Sequence, residues 1–141
     1  MRPTNHLLLS TASGVGVWIG TGELLALPTA IGSGTLVDVD HLLDMVWYHH
    51  LHKSPIATIF FHAWEWLAVL VVANIYFEFP WWLQATAIGY GSHIISDHLA
   101  KKRHLLIYSI IYRFYNRFDF QRIFPGGRVH KPVDALLDEL R

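Results

Sequence analysis

Residues 56–78 read IATIFFHAWEWLAVLVVANIYFE, an apolar run interrupted by Thr58, His62, Glu65 and Asn74 and closed by Glu78. A run of this length is about what a helix needs to cross a bilayer, ~20 residues. FPWW at 79–82 follows as a turn, with tryptophans of the kind that sit at headgroup depth. WLQATAIGYGSHIISDHL at 82–99 then runs back, and Gly89 and Gly91 leave space for another helix to approach.

Upstream, HLLLSTASGVGVWIG at 6–20 and LLALPTAIGSGTLV at 24–37 are shorter apolar pieces, separated by TGE at 21–23. The pattern predicts an all-α fold, a polytopic membrane helical bundle of about four short spans. LLIYSIIYRFYNRF at 105–118 places Arg113 and Arg117 one turn apart, which predicts an interfacial amphipathic helix with Leu106, Ile110 and Phe114 on its apolar stripe. PGG at 125–127 breaks the chain, and PVDALLDELR at 132–141 reads as a short polar helix. The division expected is a helical bundle over 1–104 and an interfacial helix with a basic cytoplasmic tail over 105–141.

Of eleven Lys and Arg, nine lie at or after Lys101, and only Arg2 and Lys53 precede them. The breaks at 21–23 and 78–81 carry Glu23 and Glu78 but no cation. The positive-inside rule then places both termini on the cytoplasmic side of the inner membrane. No cleavable signal peptide is expected, so the first helix reads as an anchor. The competing expectation is a soluble all-α domain with a very apolar core. Membrane lipids and partner subunits are the expected contacts, and nucleic acid is not.

There is no cysteine, which excludes disulfides and thiolate metal ligands, while ten histidines are many for 141 residues. In the four-span topology the ionisable residues meet at one depth. His6 starts the first helix, and Asp38, Asp40 and His41 end the second. His62 lies near the start of the third, and His93 and Asp97 lie in the last turns of the fourth. His93 and Asp97 are four apart and share a helix face with Gly89, and His62 and Glu65 share another. Ionisable groups in apolar helices face the interior and mark function. Imidazole with carboxylate and no thiolate suits a divalent metal: zinc first, iron or manganese next. The expected metal ligands are His6, Asp38, Asp40, His62, His93 and Asp97. Glu65 is the expected general base. HHLH at 49–52 reads as an exposed loop. A haem bundle using His62 and His93 would have no use for the three aspartates.

GTLVDVDHLLD, FFHAWEW and GYGSHIISDHLA, in that order, resemble a family of small membrane-bound, metal-dependent hydrolase-like proteins. Those carry a segment ending in Pro-Asp-x-Asp-His, a later His-Ser, and a Gly-x-x-x-His-x-x-x-Asp segment. The resemblance covers about residues 5 to 100. It implies that Asp38, Asp40, His62, His93 and Asp97, with His6 near the N-terminus, hold the metal. Val37 stands where the family has Pro, and Ala63 where it has Ser. The resemblance implies hydrolysis of a lipid or lipid-linked substrate by a metal-activated water. The alternative is a non-catalytic membrane subunit of a larger complex, with a structural or lost metal site.

Overall fold

The computed structural model describes residues 3–41, 60–101 and 104–125. Among them the chain is all-α. Helix α1 spans Pro3–Thr21 and α2 spans Ala26–Thr35, joined through Gly22, whose φ of 77° lies in the left-handed region. A 3-10 turn at Leu36–Asp38 continues α2, and residues 39–41 are again helical. Helix α3 spans Trp64–Tyr76 and α4 spans Trp81–Lys101. A 3-10 turn at Leu105–Tyr108 and two short helices, α5 (Ile110–Tyr115) and α6 (Phe120–Ile123), complete the described chain.

Helices α1, α2 and α4 pack on one another, and α3 lies against α4. Small residues permit this closeness. Val17, Ala26, Ala30 and Ala85 form one buried cluster, covered by Trp81. A Cβ at Gly89 would collide with the Ala30 carbonyl of α2, and one at Gly34 would collide with the Ser10 hydroxyl of α1. The two glycines therefore set the spacing of the three helices. A second cluster, Val37, Tyr90 and Ile94 with Trp64, Leu67 and Leu70, seats α3. Buried Asn74 ties α3 to α4 by donating to the Leu70 and Leu83 carbonyls (2.9 and 3.1 Å).

The membrane reading is corrected here. Among the described residues no helix is long and apolar enough to cross a membrane. The decisive stretch shows why. Ala63 is extended (φ −144°, ψ 135°), so the helix begins at Trp64 and has 13 residues. At 1.5 Å per residue it is about 20 Å long, against a hydrocarbon core of about 30 Å. Helix α2 has 10 residues. Helix α4 has 21, but Gln84, Ser92, His93, Ser96, Asp97 and His98 interrupt its apolar character. The four spans, the integral-membrane placement and the cytoplasmic orientation inferred from them are overturned together.

The interfacial helix over 105–118 is also replaced. Ser109 is extended (φ −104°, ψ 124°) and divides the segment into a 3-10 turn and the six-residue α5. Leu106, Ile110 and Phe114 therefore do not share one continuous helix face, and Arg113 is buried rather than turned outward. The loop 49–52 and the helix expected at 132–141 lie outside the described residues. Large apolar side chains such as Leu8, Ile19, Val72, Tyr76 and Phe114 are exposed, while His6, Asp40, His62, His93 and Asp97 are buried.

Candidate metal centre

His62 and His93 meet at the centre of the site, with their Nε2 atoms 3.0 Å apart. Each ring is held from behind. His93 Nδ1 lies 2.7 Å from the Gly34 carbonyl, an acceptor only, so Nδ1 carries the proton and donates it. His62 Nδ1 lies 3.0 and 3.1 Å from the two Asp40 oxygens, with the same consequence. Both Nε2 atoms are thereby turned toward each other. Two imidazole lone pairs at this distance repel unless a proton or a cation lies between them.

Asp38 Oδ1 completes the arrangement, 3.5 Å from each Nε2. Three atoms thus form a triangle with sides of 3.0, 3.5 and 3.5 Å. The point equidistant from them lies about 1.9 Å from each. That is close to the ~2.0–2.1 Å bonds of zinc to imidazole and carboxylate, so these three residues would hold such an ion. The Asp38 side chain is 36% exposed, whereas His62 and His93 are buried.

Around this triangle lie further ligand groups. Among the described residues, three overlapping sets each have ligand atoms within 4.8 Å of one another: His6, Asp38 and His93; Asp38, His41 and His62; His62, His93 and Asp97. His6 lies flat on His93, with ring centroids 3.9 Å apart and planes 21° from parallel. Its Nε2 is 3.1 Å from Asp97 Oδ1. Buried His/Asp groups able to hold a metal ion are thus a property of this fold.

The electrostatics follow the geometry. Burial disfavours the His62 cation, but hydrogen bonds to Asp38 and Asp40 outweigh it and raise its pKa above the ordinary value. Burial pushes His93 down to about 4 against the attraction of Asp38, with His6 and His62 adding to the depression. Burial would raise the Asp38 carboxyl, yet its hydrogen bond to His62 and the charges of His93, His62 and His41 hold it below the usual range. The cationic form is thus favoured on His62 and disfavoured on His93.

The loop that carries His62 has no helical hydrogen bonds of its own, and distant side chains supply them. Asp40 accepts from the Phe61 N–H (3.0 Å). The Tyr90 hydroxyl accepts from the Ala63 N–H (3.2 Å) and faces the Phe61 and Ala63 carbonyls (2.6 and 2.7 Å). Burial pushes that hydroxyl up to about 12. Buried Arg113 donates to the His62 carbonyl and, through Nε, to the Ile107 carbonyl (2.7 Å).

Of the residues expected at the metal, His6, Asp38, His62, His93 and Asp97 converge, and Asp40 stands behind His62 at its Nδ1. Glu65 belongs to none of the three ligand sets. Its oxygens accept from Ser109 Oγ (2.6 Å), the Ile110 N–H (3.1 Å) and the Ile111 N–H (3.3 Å), which tie the start of α5 to α3. Burial would raise its carboxyl, but these hydrogen bonds hold it below the usual range. His41 was absent from the expected ligand set, although its i, i+3 spacing to Asp38 signalled proximity. Its Nε2 is 3.7 Å from Asp38 Oδ1. Arg113 and Tyr90 had no local signal in the sequence.

Compared with known proteins, the chain matches no family model, no curated protein and no solved structure.

Proposed function

We propose that the chain is a metal-dependent hydrolase acting on an ester or phosphoester bond. The observation that carries this reading is the triangle of His62 Nε2, His93 Nε2 and Asp38 Oδ1, sized for one divalent ion and edged by a part-exposed carboxylate. Two histidines with one carboxylate is a donor set of catalytic zinc, and iron or manganese also suits it. When bound there, the ion supplies Lewis acidity and lowers the pKa of a coordinated water toward neutrality.

The chain's own residues do the rest. Asp40 and the Gly34 carbonyl fix the tautomers of His62 and His93, so both Nε2 lone pairs point into the site. His41, with a side chain 43% exposed beside Asp38, carries protons between the site and solvent. Glu65 positions α5, whose Arg113 in turn holds the His62 carbonyl.

The test is turnover of p-nitrophenyl acetate and bis(p-nitrophenyl) phosphate by wild type, the chelated protein, and the chelated protein reloaded with zinc or manganese. Hydrolysis that vanishes on chelation and returns on reloading supports the reading. Metal retained at stoichiometry with turnover of neither probe would instead favour a non-catalytic subunit, a reading the exposed apolar side chains recommend.

A further inference from the structure

The triangle uses His62, His93 and Asp38, and it leaves a second pair of ligand atoms unassigned. His6 Nε2 and Asp97 Oδ1 are 3.1 Å apart and both side chains are buried. The remaining nitrogen of His6, Nδ1, lies 3.4 Å from Ser96 Oγ, whose hydroxyl donates to the His93 carbonyl (2.9 Å). His6 thus presents Nε2 to a buried carboxylate oxygen and Nδ1 to a hydroxyl. A metal ion that displaces the proton shared by Nε2 and Asp97 would find two ligand atoms already facing one another.

The stack of His6 on His93, with ring centroids 3.9 Å apart and planes within 21° of parallel, places two imidazoles side by side. An ion bound to an imidazole lies in the plane of the ring, so ions on these two rings would occupy neighbouring planes. Two-metal hydrolytic centres have ions about 3.5–4 Å apart. Asp38 has a ligand atom within 4.8 Å of those of both His6 and His93, so its carboxylate is near enough to serve both ions.

We infer that the site holds two divalent cations: one on His62, His93 and Asp38, and a second on His6, Asp97 and the other oxygen of Asp38. The inference rests on the single-ion reading above and deepens it. The two can fail separately, because the number of ions bound distinguishes them.

The experiment loads the chelated full chain with Mn2+ alone, removes excess ion, and measures manganese per chain with the electron paramagnetic resonance spectrum. Wild type is expected to hold two ions per chain and to show an exchange-coupled multiline signal. His6→Ala is expected to hold one ion with an uncoupled six-line signal. Asp97→Asn keeps the volume of the buried side chain and is expected to behave alike, which separates ligand loss from misfolding. One uncoupled ion in wild type, unchanged in both variants, overturns the second site and leaves the first. No ion in wild type overturns both.

Discussion

His62 Nδ1 lies 3.0 Å from the buried carboxylate of Asp40, and this contact decides which nitrogen of His62 faces the cluster. Asp40 would thus act on a bound metal through another residue. Replacing it by Asn keeps the shape but removes the charge that favours the Nδ1–H tautomer. Such changes behind a ligand histidine cost about 10–100-fold in metal affinity. Competition for Zn2+ with a chromophoric chelator should show a loss of that size in Asp40→Asn. Unchanged affinity would mean that the tautomer is fixed elsewhere.

Metal uptake should release one proton over the mildly acid range. In the metal-free protein His62 holds the proton, because its pKa is raised, while His93 at about 4 is already neutral. Asp38, held low, is already ionised. As pH falls below the raised His62 value, proton and metal compete for one nitrogen. The logarithm of the apparent dissociation constant should therefore rise by about one per pH unit down to about pH 5. It should steepen nearer pH 4, where His93 also takes a proton. Titration calorimetry in buffers of different ionisation enthalpy counts the protons. A slope of two near pH 5.5 would show that His93 is not depressed.

Arg113 should matter far more than its neighbour Arg117. The Arg113 guanidinium is buried and donates to the carbonyls of His62 and Ile107, whereas Arg117 is exposed. Arg113→Met leaves buried carbonyls without donors and removes one of the cations near Asp40. The expected loss is roughly 2–4 kcal/mol, from charged hydrogen bonds of about 1.5–3 kcal/mol each. Arg117→Met should fall within about 0.5 kcal/mol of wild type. Urea unfolding of the metal-free protein measures both. Equal effects would contradict the clamp on the His62 loop.

Gly89 and Gly16 should respond to alanine in opposite directions. A Cβ at Gly89 meets the Ala30 backbone and Ser33 hydroxyl across the α2–α4 contact, while one at Gly16 meets nothing within 4 Å. Overpacking at Gly89→Ala should cost about 1–3 kcal/mol or more. It should also weaken metal binding, because α2 carries the Gly34 carbonyl that holds His93. Gly16→Ala should stabilise by about 0.5–1 kcal/mol through helix propensity. Thermal unfolding and metal titration of both variants check this, and a neutral Gly89→Ala would contradict the close packing.

The sequence made the cast of the site legible but not its division of labour. The four-residue spacing of His93 and Asp97 and the alternation of Asp38 and Asp40 pointed to one cluster. Alternation cannot say that Asp38 faces His93 while Asp40 turns behind His62, because that depends on the 3-10 turn at 36–38. Nor did Glu65, three residues after His62, reveal that Ser109 and two amide groups would occupy it from 44 or more positions away. The helix lengths were lost for a related reason. Hydropathy reports how apolar a segment is, whereas the end of α3 is set by one extended residue, Ala63, held by Tyr90. Arg113 looked like a surface charge because its acceptors are carbonyls, which any residue supplies.

The most direct measurement is anomalous diffraction from crystals of the Zn2+-loaded protein, recorded on both sides of the zinc edge. A peak about 2.1 Å from His62 Nε2, His93 Nε2 and an Asp38 oxygen, with Asp40 off the metal and on the far nitrogen of His62, is the predicted result. Strong zinc peaks elsewhere on the chain, with none between the two Nε2 atoms, would contradict it.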